Sequence, residues 1–206
     1  GEEFMKIVFL GDCVTDGDRD RNDENSLGNG YVKILSDKLK PIYPDMDIEL
    51  INKGISGINI CELCALSDSE IIPLKPDAVV IMCGIDEILA HYVHNEKLEL
   101  QHYESRLNSL LTNFKRQGIA VIFLEPFLLP SPDKLRMRKL FNEQLAIIRK
   151  VAKELSDEYV AYDEMLAGVS ERLHYKEYSL DGIHPTHRCS RLIADQAIKA
   201  IRKHLL

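Results

Sequence analysis

Five short runs of aliphatic residues recur along the chain, and each is almost continuously apolar rather than alternating. A strand with one buried face alternates apolar and polar side chains, whereas a strand buried on both faces is apolar throughout. The runs therefore predict five strands of a parallel sheet covered on both sides. They are KIVFL (6–10), DIELIN (47–52), AVVIMC (78–83), AVIFLE (120–125) and EYVAYD (158–163).

Between these runs, apolar residues recur at helical spacing. The clearest stripe lies within 134–155, and further helical patterns lie at 29–39, after residue 100 and at 186–204. Alternating strands and helices predict a doubly wound, three-layer α/β/α sandwich. No repeat or linker interrupts the pattern, so we expect residues 1–206 to form a single domain. The four residues before Met5 are expected to be a cloning remnant.

Composition and charge narrow the classes of function. Of the 206 residues, 45% are hydrophobic and 29% are charged, and the formal net charge is −7. A negative net charge argues against nucleic acid or an anionic membrane as the main partner. No apolar run approaches the ~20 residues of a membrane span, and no signal peptide is visible. We therefore expect no membrane insertion.

The five cysteines indicate a reducing environment. Their number is odd and their spacing is not that of a disulfide framework, so we expect free thiols in a cytoplasmic protein. Cys61 and Cys64 form a Cys-x-x-Cys pair, but no second pair completes a zinc site, and their helical spacing favours a role in the core. We expect no metal site and no cofactor.

Glycines, carboxylates, one thiol and one histidine gather where the predicted strands end. Parallel strands bring their carboxyl ends to one edge of the sheet, and ligands of open α/β folds bind beyond that edge. The segments concerned are Gly11–Cys13, Gly54–Gly57, Gly84–Glu87, Asp163 at the end of the fifth strand, and DGIHPT at 181–186.

Cys13, Asp181 and His184 are the residue types of a nucleophilic triad. In such a triad one histidine nitrogen takes the proton of the nucleophile while a carboxylate holds the other nitrogen. Asp181 precedes His184 by three residues in a turn, so it can reach the ring. The backbone N–H groups of Cys13 and Gly57 can both point at a developing oxyanion.

Four motifs in this order, FLGDCVTDG, NKGISG, CGIDEI and DGIHPT, resemble the blocks of the SGNH or GDSL-type hydrolases. The resemblance extends over residues 6–198, nearly the whole chain. It implies a flavodoxin-like SGNH-hydrolase fold with a five-stranded parallel sheet. It also implies that Cys13 is the nucleophile and that Asp181 and His184 complete the triad. The oxyanion hole would consist of the Cys13 N–H, Gly57 and Asp86.

Two of these positions depart from the family pattern. Cys13 stands where the family has serine, and Asp86 stands where it has asparagine. Asparagine donates an N–H to the oxyanion, whereas an ionised aspartate only accepts. Losing one such donor costs about 2.7–4 kcal/mol in the transition state, and the negative charge would raise the pKa of the Cys13 thiol. A protonated Asp86 or a bound cation would relieve this conflict.

An acidic loop, TDGDRDRNDE, follows the first strand. A calcium-binding EF-hand loop beginning at Asp16 would need glycine and glutamate where Arg21 and Leu27 stand, so that reading is disfavoured. The resemblance suggests instead that this loop lies beside the substrate. We expect Asp12, Arg19 and Arg21 to flank the substrate.

These observations predict a GDSL/SGNH-type esterase or acylhydrolase, an enzyme that hydrolyses ester bonds. Its expected partner is a small-molecule acyl ester, with O-acetylated carbohydrates among the candidates, cleaved through an acyl-enzyme intermediate. The alternative is a catalytically impaired relative that binds a small carbohydrate or acyl ligand without turnover. The sequence leaves the oligomeric state open.

Overall fold

The computed structural model describes residues 4–205, and its centre is one five-stranded sheet. The strands are β1 (Phe4–Gly11), β2 (Asp47–Asn52), β3 (Ala78–Met82), β4 (Ala120–Leu124) and β5 (Glu158–Val160). All strand pairs are parallel, and the strand order is β2-β1-β3-β4-β5, the order of a flavodoxin-like doubly wound fold. The predicted fold class is thereby confirmed.

Helices cover both faces of the sheet. They are α1 (Cys13–Asp16), α2 (Tyr31–Leu39), α3 (Ile60–Leu66), α4 (Ile85–His94), α5 (Leu100–Arg116), α6 (Arg138–Leu155), α7 (Tyr162–Ser170) and α8 (His187–Leu205). Helices α2, α7 and α8 pack on one face, and α3, α5 and α6 pack on the other. None of the described helices combines the length and apolar character that a membrane crossing requires.

The central strand β1 shows why its sequence is apolar throughout. Ile7 and Phe9 belong to the core beneath α2 and α8, whereas Val8 and Leu10 belong to the core beneath α3 and α5. All four side chains are fully buried. Each such side chain stabilises the fold by about 1.5–3 kcal/mol relative to an exposed one. A polar residue at any of these four positions would therefore lower the free energy of unfolding.

The fifth strand is shorter than the sequence predicted. β5 ends at Val160, and the predicted strand end at Asp163 is wrong, because Asp163 lies in the first turn of α7. The apolar residue Tyr162 extends the pattern of the strand, but its side chain is buried in the core as a helical residue. The Asp163 carboxylate accepts the N–H of Leu128 and pairs with Arg138, so it braces the loop after β4.

Other boundaries differ by a few residues. A 3₁₀ turn at Pro132–Met137 precedes α6, which starts at Arg138 rather than at residue 134, and α4 was not specifically predicted. The expected cloning remnant at 1–4 lies outside the described residues except for Phe4, which is the first residue of β1.

A buried asparagine at the end of β2 joins the segments that follow β1 and β2 at the carboxyl edge of the sheet. The Asn52 amide donates to the carbonyl oxygens of Thr15 at 2.8 Å and Leu27 at 3.0 Å, and its oxygen accepts the N–H of Gly54 at 2.9 Å. These bonds fix the loops after β1 and β2 relative to each other.

Replacing this amide should destabilise the fold. Asn52→Ala leaves several polar backbone groups without partners in the interior, so we expect the free energy of unfolding to fall by about 2–3 kcal/mol. Urea denaturation of the variant and of Asn25→Ala, which changes an exposed side chain, measures the difference. An Asn52→Ala loss no larger than that of Asn25→Ala would show that the amide does not hold the loops.

Candidate active site

Cys13 is the first residue of the short helix α1, immediately after β1. Asp12 is the N-cap of this helix, and its side chain accepts the N–H of Val14. Gly17 ends the helix in the left-handed conformation, at φ 54°. The Cys13 N–H is one of the first-turn groups without an acceptor inside the helix, so it remains free for an oxyanion. The Cys13 thiol lies at this strand-to-helix turn and is half-buried.

The second element of the site is the loop before α8. The Nδ1 atom of His184 lies 2.6 Å from Asp181 Oδ2, and the other carboxylate oxygen accepts the backbone N–H groups of Ile183 and His184. This geometry fixes the ring orientation and leaves the far nitrogen of His184 available, as a triad requires. The ring is well exposed.

Ser179 supports this loop, a role that was not predicted from the sequence. Its hydroxyl lies 2.7 Å from the His184 carbonyl oxygen and 3.1 Å from Asp181 Oδ1. Ser179 is fully buried, so these contacts position the Asp181–His184 pair from beneath. A serine two residues before the aspartate was the only signal in the sequence.

Cys13 and His184 line the same cavity, which has a volume of about 230 Å³. Ser56, from the loop after β2, also lines this cavity. Within the described residues the Cys13 thiol is not hydrogen-bonded to His184. It is directed at Asp86 instead, with Sγ 3.5 Å from Oδ1. The structure therefore brings nucleophile and base to one cavity without joining them.

Asp86 occupies the region where the oxyanion would be expected to sit. It lies in the first turn of α4, and its Oδ2 accepts the N–H of Gly57 at 2.6 Å. Gly57 adopts φ 84°, a conformation that favours glycine, and this turns its N–H toward Asp86. The carboxylate thus contacts both the predicted nucleophile and a predicted oxyanion donor, which is how an oxyanion itself would bind.

The charges around Cys13 oppose its ionisation. Burial, followed by the negative charges of Asp12 and Asp86, raises the pKa of the Cys13 thiol well above its ordinary value. Burial also raises the pKa of Asp12, and the charge of Asp86 adds to the rise. Burial raises the pKa of the neighbouring Glu87 to about 7. A thiol in this setting is not preformed as a thiolate, so attack needs a base that removes the proton.

Asp12 is placed differently from the expected substrate-flanking position. Its side chain has no exposed surface and lies beneath Cys13 rather than along the cavity. The reason is its role as the N-cap of α1, which draws the carboxylate inward. The expectation that Asp12 flanks the substrate is therefore corrected: Asp12 faces the reacting residues from the protein side.

Arg19 and Arg21 lie in the loop after α1, where both are bound to neighbouring protein groups. Arg19 Nε donates to the carbonyl oxygen of Gly54 at 2.8 Å, and Arg21 pairs with Asp16 at 2.9 Å. Asp16 also accepts the N–H and the hydroxyl of Ser56, so it links this loop to the one carrying Gly57. These contacts give both arginines a role in holding the cavity wall.

The Cys-x-x-Cys pair lies on α3, away from the Cys13 cavity. All five cysteines are free. Cys61 is exposed, with Sγ 3.3 Å from His102 Nε2, and burial raises the pKa of the Cys64 thiol to about 11. Neither side chain groups with further His, Cys, Asp or Glu residues in the described part of the chain as a metal site would require.

The carboxylate of Asp181 should make stability depend on pH. Partial burial raises its pKa, but hydrogen bonds from His184 and from the Ile183 and His184 N–H groups outweigh this and lower it to about 2. Its stabilising contribution is therefore fully present above the unfolded pKa near 4 and is lost as pH falls toward 2. Because the side chain is 44% exposed, we expect less than about 1 kcal/mol.

Urea unfolding of the wild type and of Asp181→Asn tests this expectation. The difference in unfolding free energy should shrink between pH 6 and pH 2.5. Asp45→Asn, which changes an exposed carboxylate, serves as the control and should show no comparable trend. A difference that stays constant or grows at low pH would contradict the inferred stabilisation.

Comparisons with known proteins identify the family of this chain. The model of the GDSL-like lipase/acylhydrolase family matches residues 9–192. The chain belongs to this family. The predicted family and the predicted esterase or acylhydrolase class are thereby confirmed. The match spans all four motifs and both halves of the candidate site.

Individual relatives extend the likeness to nearly the whole chain. An acetylxylan esterase from Geobacillus stearothermophilus is 28% identical over 204 residues, which covers 95% of this chain and 93% of that protein. The structure of Axe2, an acetylxylan esterase from the same organism, has a TM-score of 0.84 at 27% identity, covering 98% and 94% of the two chains. A protein from Parabacteroides merdae described as a GDSL-like lipase has a TM-score of 0.90 at 25% identity, covering 97% and 96%.

The solved Axe2 structures include catalytic mutants. In them a serine, an aspartate or a histidine is replaced by alanine, and the aspartate and the histidine are three positions apart. Asp181 and His184 of this GDSL-family protein have the same spacing.

Proposed function

We propose that this GDSL-family protein hydrolyses acetyl and other small acyl esters of carbohydrates, with Cys13 as nucleophile, His184 as general base and Asp181 as the group that orients His184. The observation that carries the proposal is the shared cavity of Cys13 and His184, with Asp181 bonded to the far side of the ring. The catalytic serine, aspartate and histidine replaced in the Axe2 mutants support the same three roles.

In the first step His184 takes the thiol proton as Cys13 Sγ attacks the ester carbonyl carbon. The oxyanion that forms would accept hydrogen bonds from the N–H groups of Cys13 and Gly57. Collapse breaks the bond to the alcohol oxygen, which leaves with the proton from His184. Water then attacks the thioester with His184 again as base, and the carboxylic acid and the free thiol are released.

Asp86 should slow this reaction without preventing it. Its carboxylate must release the Gly57 N–H before an oxyanion can bind there, and its charge opposes the oxyanion. We therefore propose a weak esterase rather than a binding protein without turnover. The cysteine nucleophile and the aspartate in the oxyanion hole would act together to lower the rate.

The cavity favours a small polar ester as substrate. Its volume of about 230 Å³ is below the roughly 300–1,000 Å³ of pockets for drug-sized ligands. Besides Cys13 and His184, it is lined by side chains that can hydrogen-bond to sugar hydroxyls, among them Asn29, Ser56 and Ser190. The acetylxylan esterase activity named for the Geobacillus relatives supports an O-acetylated carbohydrate as the substrate.

The free thiols support our expectation of a cytoplasmic location.

Acetate release from acetylated xylooligosaccharides and from p-nitrophenyl acetate tests the proposal. The wild type should release acetate from both, and Cys13→Ala should not. Cys61→Ser removes an exposed thiol on α3 and should retain the wild-type rate. Equal release by the wild type and Cys13→Ala would refute Cys13 as the nucleophile.

A further inference from the structure

Asp12 has a side-chain oxygen without a hydrogen-bond partner in residues 4–205. Its side chain is fully buried, and while one oxygen accepts the Val14 N–H, Oδ2 has no hydrogen-bond partner among the described residues. A buried carboxylate without a partner is costly, and such groups in proteins are paired or coordinate metal ions. This oxygen therefore points to a partner that the described part of the chain does not supply.

Asp12 shares its surroundings with a second carboxylate and a thiol. One ligand atom from each of Asp12, Cys13 and Asp86 lies within 4.8 Å of the others. Asp86 is also buried, and the two carboxylates repel each other. Within residues 4–205 no Lys, Arg or His forms an ion pair with either carboxylate. Three anionic or ionisable groups therefore converge without a positive charge.

We propose that Asp12, Cys13 and Asp86 form a binding site for a divalent cation of the zinc class. Thiolate and carboxylate ligands together suit zinc. Zinc–sulfur and zinc–oxygen distances of about 2.3 and 2.0–2.2 Å at a tetrahedral angle place sulfur and oxygen about 3.5 Å apart. The observed distance from Cys13 Sγ to Asp86 Oδ1 is 3.5 Å. The cavity lined by Cys13 gives water access for a further ligand.

A cation resolves the conflict that the three side chains create. Binding replaces the S–H bond of Cys13 by a metal–sulfur bond and releases one proton to solvent. Two positive charges then offset two carboxylates and a thiolate, and Asp12 Oδ2 gains a partner. A proton shared between the two carboxylates would neutralise only one negative charge. It would leave the Cys13 thiol protonated. A bound cation therefore produces a thiolate–metal bond that can be detected, and a shared proton does not.

The site overlaps the proposed nucleophile, so cation and ester would compete. A thiolate bound to zinc cannot attack a carbonyl while it stays bound. Zinc should therefore inhibit acylation of Cys13, and a chelator should restore it. The binding itself does not depend on ester hydrolysis, so a failure of the proposed activity would leave the cation site testable.

Titration with Co²⁺, which replaces zinc and reports on its ligands by its absorption spectrum, tests the site. The wild type should show a thiolate-to-cobalt charge-transfer band that saturates at one ion per chain. Cys13→Ser should lose the band, and Asp86→Asn should bind at least about tenfold more weakly. Added Zn²⁺ should displace the cobalt. Circular dichroism of each variant establishes that it is folded.

Cys61→Ser is the matched control, because Cys61 is an exposed thiol that lies 3.3 Å from His102 Nε2 and could bind a metal ion outside the proposed site. This variant should keep the band at full intensity. A band that disappears in Cys61→Ser but persists in Cys13→Ser would place the metal on α3 and overturn the proposal. Absence of the band in the wild type at millimolar Co²⁺ would overturn it as well, and would favour a proton shared by the carboxylates.

Discussion

Asp86→Asn is expected to increase kcat/KM for ester hydrolysis by about a hundredfold to a thousandfold, the range that one oxyanion donor contributes. In the wild type the Asp86 carboxylate accepts the Gly57 N–H at 2.6 Å and lies 3.5 Å from Cys13 Sγ. An amide of the same size has no negative charge to hold the Gly57 N–H, so this N–H is more easily released to the oxyanion. The NH₂ group of the amide can also donate to the oxyanion.

Charge adds to this effect. The carboxylate of Asp86 is one of the groups that raise the pKa of the Cys13 thiol, so removing its charge makes the thiol easier to deprotonate during attack. Both changes act on the transition state and should appear in kcat as well as in kcat/KM.

The measurement is steady-state hydrolysis of p-nitrophenyl acetate with a chelator present, so that bound cations do not interfere. Asp45→Asn removes an exposed carboxylate away from the cavity and should change the rate by less than about twofold. If Asp86→Asn has the wild-type rate or a lower one, the carboxylate is not what limits this site. The double variant Cys13→Ser, Asp86→Asn then shows whether the scaffold supports the family's serine chemistry.

His184→Ala is expected to lower kcat by about 10²–10⁴-fold, the usual contribution of a general base. Burial and nearby charges raise the pKa of Cys13, so the protein cannot depend on a standing population of thiolate. The proton must leave as sulfur attacks. His184 lines the same cavity, and Asp181 holds it in the required orientation.

The matched control is His94→Ala, which changes an exposed histidine at the end of α4. It should retain the wild-type rate. Activity of His184→Ala within about threefold of the wild type would show that another group removes the proton, because a general base normally contributes far more. Raising the pH should partly rescue His184→Ala, since hydroxide can replace the missing base.

The fold was predictable because its central strands are buried on both sides. Val79 and Ile81 of β3 face one core, and Val80 faces the other, so apolarity is continuous and unambiguous. The same criterion failed at the edge of the sheet. β5 is only partly buried, and Tyr162 continued its apolar pattern although it belongs to a helix.

The candidate site was likewise predictable only in part. The local pair of Asp181 and His184 could be predicted because three residues of a turn determine its geometry. The sequence placed Gly57 and Asp86 in one oxyanion hole, but it could not predict their hydrogen bond, since this bond joins a loop to the first turn of α4, 29 residues further along the chain. The unpartnered oxygen of Asp12 was equally hidden, because an N-cap aspartate is ordinary in sequence.

The central claim is that Cys13 forms an acyl-enzyme with His184 as its base. Mass spectrometry of acid-quenched protein, mixed briefly with excess p-nitrophenyl acetate and then digested, tests it most directly. We predict one acetyl group on the peptide containing Cys13 in the wild type and in Asp86→Asn, and none in His184→Ala. An unmodified Cys13 in both the wild type and Asp86→Asn would contradict this claim. An acetyl group on Cys13 in His184→Ala would contradict it as well.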